Sequence, residues 1–185
     1  MKQPFANQRG FTLLEVLIAL ALMALLSIIS WRGLDLTERS SARLNASADD
    51  TLALVRVLGQ IESDISQHAN NDILPSGILW VKPVLTVARS AHNGAWQNVI
   101  WGQDGNTLRR AVGPAAHILP LPKAGAGEIV LEQVQNFTIR GWVPSQGWSA
   151  LDSAGAQTSA TGLEIVIERR HNGVNEIYRK VMLLP

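Results

Sequence analysis

The pattern of apolar and polar residues divides the chain into a continuous apolar segment, an amphipathic segment and a remainder of short alternating runs. From Phe11 to Trp31 the chain is apolar except at Thr12, Glu15, Ser27 and Ser30. A helix of these 21 residues is about 30 Å long, which matches the hydrocarbon core of a bilayer. The pattern therefore predicts a membrane-spanning helix over residues 11–31.

The helix is predicted to continue over residues 32–68. No proline occurs between Pro4 and Pro75. Apolar residues recur at helical spacing of three and four positions, which predicts one stripe that a globular domain covers. The stripe comprises Leu44, Ala48, Leu52, Val55, Leu58, Ile61 and Ile65. Stop and turn signals follow between Asn70 and Gly77.

The rest of the chain predicts a β-rich globular domain over residues 69–185. Asp104-Gly105 and His171-Asn172-Gly173 are turn signals between apolar runs. The segments Gly113–Gly127 and Ser145–Thr161 are rich in loop-forming residues and are predicted to be loops. The predicted strands are Ile78–Val81, Val84–Arg89, Val99–Trp101, Thr107–Val112, Asn136–Val143, Gly162–Arg170 and Glu176–Leu184. The predicted fold class is α+β, with one long N-terminal helix packed on antiparallel sheet.

Composition argues against several classes of function. The formal net charge of +1 over 185 residues gives no electrostatic basis for binding nucleic acid. The chain has no cysteine, which excludes thiolate metal sites and disulfides. The four histidines are scattered without ligand spacing, and no P-loop, nucleophile elbow or dinucleotide fingerprint occurs. We therefore expect no catalytic residue, no metal site, no cofactor and no enzymatic activity.

One acidic pair needs separate mention. Glu62 and Asp64 are two positions apart on the predicted helix, so they do not share a face. A solvated helical surface is the favoured interpretation over an acid–base pair.

Tryptophan is unusually frequent, with six residues against one tyrosine. Two interpretations stay open for the five in the globular part: burial in or beside the core, or exposure as interface anchors. These residues are Trp80, Trp96, Trp101, Trp142 and Trp148.

The most informative stretch of the sequence is Arg9-Gly10-Phe11-Thr12-Leu13-Leu14-Glu15-Val16, which places one carboxylate near the start of the apolar run. A carboxylate within a membrane-length apolar segment is costly, at roughly 2.5–3.5 kcal/mol for a charged side chain at the bilayer centre. Thr12 and Glu15 have the spacing of a helix capping box, which would occupy the carboxylate locally. Cleavage between Gly10 and Phe11 would instead create an amine on Phe11, which could pair with Glu15 of a neighbouring copy. The two roles could follow one another during assembly.

An ordinary secretory signal peptide is a competing interpretation of the same residues. Lys2 and Arg9 precede the apolar run, and Ala19-Leu20-Ala21 matches an A-x-A cleavage site. However, further apolar residues follow that site, whereas a polar mature sequence would be expected.

The stretch closely resembles the class III signal of the type IV pilin and type II secretion pseudopilin superfamily. The resemblance implies that residues 1–10 form a leader removed by prepilin peptidase after Gly10. It also implies N-methylation of Phe11 and an assembly role for Glu15. Because Lys2 and Arg9 precede the apolar run, we expect the leader in the cytoplasm and the rest of the chain outside. The resemblance implies that this is a single pass through the bacterial inner membrane, with a periplasmic domain.

Beyond the signal, the chain is similar to J-type minor pseudopilins of the type II secretion system. The similarity lies in Trp31–Asp35, Val134–Arg140 and Val181–Pro185. It implies a place at the pseudopilus tip with the I-type and K-type subunits, and the H-type and major pseudopilins are further candidate partners. Such contacts would use the N-terminal helix, and the candidate residues are Leu44, Leu52, Val55 and Leu58.

Departures from sibling families support this assignment. The K-type lacks the glutamate that Glu15 supplies, and major pseudopilins carry an acidic calcium loop near the C-terminus. Here Ser145–Thr161 contains Asp152 as its single acidic residue, so calcium binding is not expected. The alternatives are a minor pilin of a type IV pilus or DNA-uptake filament and, from another class, a membrane-tethered periplasmic enzyme.

Overall fold

The computed structural model describes residues 12–69, 77–151, 160–171 and 173–184. The chain divides into two compact units, with the boundary between Asp50 and Thr51. Helix α1 runs from Leu13 to Ser66, a length of 54 residues. The predicted long helix is therefore confirmed, while its predicted stop signals at 70–76 lie outside the described residues.

The described part of the second unit contains nine strands in two antiparallel sheets. The first sheet has the order β1-β2-β3-β4-β5, and the second has the order β7-β6-β8-β9. The first sheet comprises β1 (Ile78–Val81), β2 (Val84–Ser90), β3 (Trp96–Asp104), β4 (Thr107–Val112) and β5 (Glu128–Leu131). The second comprises β6 (Val134–Val143), β7 (Gly147–Ala150), β8 (Gly162–His171) and β9 (Val174–Leu183). A short 3₁₀ helix, His92–Gly94, connects β2 to β3.

The α+β prediction is confirmed, and every predicted strand is present. Two four-residue strands, β5 and β7, were not predicted. Strand β7 makes the prediction of one loop over Ser145–Thr161 wrong at Gly147–Ala150. The Gly- and Ser-rich sequence there favours a loop, but Trp148 pairs across the sheet with Trp142, at a ring separation of 5.5 Å. Residues 152–159 of that predicted loop lie outside the described residues.

One apolar cluster contains residues of α1 and of both sheets. The rings of Trp80 and Phe137, one from each sheet, meet edge to face at 5.5 Å. Trp101 is also fully buried, whereas Trp142 and Trp148 are 43% and 36% exposed. Burial is thus confirmed for Trp80 and Trp101, while a role of Trp142 and Trp148 as interface anchors stays a prediction.

The predicted apolar stripe of α1 proves to be two separate sets. Leu54 and Val57 are buried with Ile61, and so are Asp64 and Ile65 farther along the helix. At about 100° per residue, Val55 and Leu52 lie roughly 120° and 180° around an ideal helix from Ile61.

The prediction that the domain covers the whole stripe is therefore wrong at Leu52 and Val55. Leu44, Leu52 and Val55 are 69%, 56% and 59% exposed. Leu58 is half-buried against the core.

The carboxylate of Asp64 is fully buried and connects α1 to three strands of the first sheet. Arg110 of β4 binds it through two nitrogens, each at 2.9 Å from one oxygen. Arg89 Nη1 of β2 lies 2.7 Å from Oδ1, and the indole N–H of Trp101 in β3 donates to Oδ2 at 2.9 Å. Gln60 adds a longer hydrogen bond at 3.3 Å from within the helix. These donors replace the water that burial removes.

The interpretation of Glu62 and Asp64 as a solvated surface is wrong for Asp64. Asp64 follows Ile61 by three positions and so lies on the buried face of the helix. Glu62 lies on another face, where its carboxylate is 2.9 Å from Lys180 Nζ and its side chain stays 46% exposed. The two carboxylates therefore differ in surroundings, as helical geometry requires.

We expect Asp64→Asn to lower the free energy of unfolding by about 3 kcal/mol, because it leaves two largely buried guanidinium groups without their counter-charge. Glu62→Gln is the matched control on the same helix turn, and it removes an exposed ion pair worth less than about 1 kcal/mol. Urea unfolding of the full chain in detergent, followed by tryptophan fluorescence, measures both. Equal losses for the two variants would contradict the role given to Asp64.

Candidate functional site

The first turn of α1 is closed by a reciprocal capping box. Glu15 Oε2 accepts hydrogen bonds from the backbone N–H of Thr12 at 2.9 Å and from its hydroxyl at 3.0 Å. The backbone N–H of Glu15 donates in turn to Thr12 Oγ1 at 3.3 Å. This is the arrangement that the Thr12–Glu15 spacing predicts, and it satisfies donors that a helix N-terminus leaves open.

The capping bonds satisfy the Glu15 carboxylate without neutralising it. All donors come from the neutral Thr12, and no salt bridge within the described residues includes Glu15. The next cation along the helix is Arg32, 17 positions later, which is roughly 25 Å along the axis. Neutralisation by the described part of the helix is therefore excluded by distance.

The carboxylate lies at the start of an apolar surface of membrane length. Large apolar side chains from Leu13 to Ile29 are between 45% and 79% exposed. The described residues contain one helix long and apolar enough to cross a membrane, and it is this one. The hydroxyl of Ser27 donates to the Met23 carbonyl at 2.8 Å, so this polar group is satisfied within the helix. Glu15 is then the one charged side chain in the span from Phe11 to Trp31.

Gly10 and Phe11, the predicted sites of cleavage and methylation, lie outside the described residues. Their roles stay predictions, as does the pairing of Glu15 with an amine. The same holds for the predicted partner contacts at Leu44, Leu52, Val55 and Leu58. Leu44, Leu52 and Val55 are exposed, whereas part of Leu58 is packed on the core.

The described residues contain no group of three or more metal-ligating side chains. An open polar cleft of about 250 Å³ lies beside Gln67, Arg89, His92 and Gln97. Its guanidinium group, that of Arg89, is bound to the buried Asp64. The charge of Arg89 in this cleft is therefore already balanced by Asp64.

Sequence reasoning missed two clusters in the globular domain. One is Asp64 with its two arginines. The position of Asp64 three residues after Ile61 could have revealed its burial, although not the identity of its partners. The other is on the outer face of the second sheet, where Arg140 forms an ion pair with Glu164 and lies 5.8 Å from the Trp148 ring. Arg140 and Glu164 lie on different strands, β6 and β8, and are 24 positions apart in the chain. No local sequence signal therefore indicates that they pair.

Comparison with known protein families identifies the N-terminal segment. Residues 5–31 match the model of the prokaryotic N-terminal methylation motif. The match contains Gly10, Phe11, Glu15 and the whole apolar span. The motif implies processing by prepilin peptidase and partners of the pilus type. Together with the apolar helix, it indicates membrane anchoring. The protein thus carries a class III, pilin-like methylation motif at the start of a long helix, followed by antiparallel sheets in a pilin-like α+β architecture.

Proposed function

We propose that this protein is a J-type minor pseudopilin of the type II secretion system. It would act without enzymatic activity, at the tip of the pseudopilus, where it primes assembly for export of folded proteins across the outer membrane. The observation that carries the proposal is the charge on Glu15. Among the described residues, that carboxylate is bound by the neutral Thr12 alone, in a helix whose motif implies a new amine at Phe11, four positions before Glu15.

Assembly would exchange the capping bonds of Glu15 for an ion pair. An unpaired charge in a low-dielectric medium is far less stable than a charge with a counter-ion and hydrogen bonds. The methylated amine of Phe11 on a neighbouring subunit provides that counter-ion. Pairing would therefore favour transfer of the subunit from the bilayer into the growing filament, while the capping box holds the carboxylate beforehand.

The exposed apolar set on α1 supports helix-to-helix contact within the filament. Leu52 and Val55 lie on a face that the globular domain leaves uncovered, and Leu44, in the first unit, is also exposed. The proposed neighbours are the I-type and K-type minor pseudopilins, with the H-type and major pseudopilins as further candidates. Leu58 would contribute less, because the domain core covers part of it.

The proposal predicts that full-length protein, purified in detergent from cells with the secretion system, brings I-type and K-type pseudopilins with it. Leu52→Asp should reduce their recovery, whereas Leu79→Asp, which changes an apolar residue of similar exposure in β1, should not. Mass spectrometry of the purified material provides the measurement. Recovery of type IV minor pilins would instead support the alternative, a pilus or DNA-uptake filament. Recovery of neither set would count against a filament role.

The N-terminus of the membrane form should begin with methylated Phe11. Mass analysis of the N-terminal peptide measures this, and cells without prepilin peptidase provide the control, in which Met1 should be retained. Finding intact Met1 in cells with active peptidase would rule out the processing step.

Substitutions at Glu15 and Thr12 separate the charge from the cap. Glu15→Gln keeps a side chain that can complete a capping box but removes the negative charge. Thr12→Ala keeps the charge and removes the capping hydroxyl, at a cost of about 1 kcal/mol in helix stability. We expect Glu15→Gln, like Glu15→Ala and Glu15→Val, to be processed normally and to weaken assembly, whereas Thr12→Ala assembles.

Secretion of a folded cargo and subunit co-purification measure these effects. Normal secretion with Glu15→Gln would show that the charge is dispensable. Equal defects in Glu15→Gln and Thr12→Ala would assign the role of Glu15 to capping.

A further inference from the structure

Strand β9 differs from the other strands at the sheet edges of the described domain. The edge strands β1, β5 and β7 have four residues each, while β9 has ten. Its pairing with β8 is regular from Val174 to Leu183, without a register shift, and it contains no proline. Proteins commonly protect sheet edges by keeping edge strands short, bulged or proline-containing. Strand β9 has none of these three features, and its protection as an edge is limited to its charged side chains Glu176, Arg179 and Lys180.

The main chain of β9 presents open hydrogen-bonding groups at this edge. The N–H of Leu184 donates to the Thr161 carbonyl at 3.0 Å. Hydrogen-bonded positions alternate along an antiparallel ladder. The N–H and C=O groups of Ile177, Arg179 and Val181 therefore point away from β8. In the part of the chain that the structure describes, no other backbone group pairs with them.

The same positions carry exposed side chains on the outer face of the sheet. Ile177 and Val181 are each 57% exposed, and Leu183 is 86% exposed. Arg179 lies between them and is exposed, and no described residue forms an ion pair or hydrogen bond with its guanidinium group.

The side chains on the inner face of β9 are already engaged. Lys180 Nζ lies 2.9 Å from Glu62 of α1, and Met182 is buried in the core. The hydroxyl of Tyr178 donates to Glu176. Selectivity for a partner therefore depends on the outer face, where the exposed apolar side chains and the Arg179 guanidinium group are accessible.

The apolar surface continues from Leu183 across the sheet. Leu183 lies opposite Gly162 of β8, which lies opposite Trp142 of β6. Gly162 has no side chain, so it adds no bulk to the surface between Trp142 and Leu183. A residue beside Leu183 on an added strand would extend this row, and an apolar residue fits it best.

We propose that β9 accepts an extended segment of another protein as a fifth strand of the second sheet. The segment would alternate apolar and small polar residues and would place one carboxylate opposite Arg179. Main-chain hydrogen bonds would supply the affinity, and the outer side chains the selectivity, as in other cases of strand addition. The proposal concerns the globular domain and is independent of the role given to Glu15.

A second copy of this chain fits the edge less well. Antiparallel self-pairing centred on Arg179 places two guanidinium groups directly opposite one another, which is destabilising. Centring on Tyr178 places Arg179 opposite Ile177. Neither register provides the carboxylate that Arg179 lacks, so a different polypeptide is the better occupant.

A designed peptide tests the proposal directly. The probe is the labelled peptide valine–threonine–valine–threonine–glutamate–threonine–valine, whose alternate residues match Leu183, Val181, Arg179 and Ile177 in antiparallel order. Its control has lysine in place of glutamate. Binding to the full-length protein in detergent is measured by fluorescence anisotropy, and thermal unfolding of each variant confirms that the domain is intact.

Val181→Pro is the decisive variant, because it removes an outward N–H, and proline is tolerated at such an edge position. Val181→Thr is its matched control, since it keeps the N–H and the β-branched shape. We expect the glutamate peptide to bind the wild type and Val181→Thr, and to bind Val181→Pro at least about tenfold more weakly. The lysine peptide should bind the wild type more weakly than the glutamate peptide does.

Three results would overturn the proposal. The first is no saturable binding of the glutamate peptide. The second is equal binding by Val181→Thr and by a folded Val181→Pro variant. The third is a dimer of the wild-type chain in analytical ultracentrifugation that Val181→Pro abolishes, which would assign the edge to a second copy.

Discussion

The burial of Asp64 is the constraint on which the globular domain depends. Its carboxylate is inaccessible, so its charge must be balanced within the protein, and the two arginines and one indole that do this belong to three neighbouring strands. Apolar packing alone fixes a helix against a sheet without strong directional preference, because the hydrophobic effect is non-directional. The bidentate contact of Arg110 adds that direction. The last turns of α1 are therefore held in one register on the first sheet.

This anchoring explains which face of the helix the domain covers from Thr51 onward. Leu54, Val57, Ile61 and Ile65 lie on the face that Asp64 fixes. Val55 and Leu52 lie on other faces and cannot be buried in the same contact. An apolar set is thereby left exposed in the periplasmic half that the sequence predicts for this helix, where exposed apolar surface of this kind marks interaction sites.

Much of this architecture could be predicted from sequence because its signals are local. The apolar span, the Thr12–Glu15 cap, the Asp104-Gly105 hairpin and the alternation in β8 each depend on residues close together in the chain. Strand β7 was missed because its stability comes from Trp142 across the sheet, while its own residues favour a loop. The Asp64 cluster was missed because its arginines are 25 and 46 positions away. The stripe on α1 was misassigned because helical spacing shows which residues share a face but not which face is buried.

Asp64 and Glu15 show how surroundings give one chemical group two roles on a single helix. Asp64 has two cations of its own chain beside it, so its charge is balanced as soon as the domain folds. Glu15 has hydrogen bonds from Thr12 but no cation within the described chain, and Arg32 is too far along the helix to provide one. A hydrogen-bonded but uncompensated carboxylate in an apolar segment still favours any cation that reaches it. A cation from outside the described residues, such as the amine proposed for Phe11 of a neighbouring subunit, would supply the remaining electrostatic stabilisation at Glu15, whereas the contact made by Asp64 is complete within the folded domain.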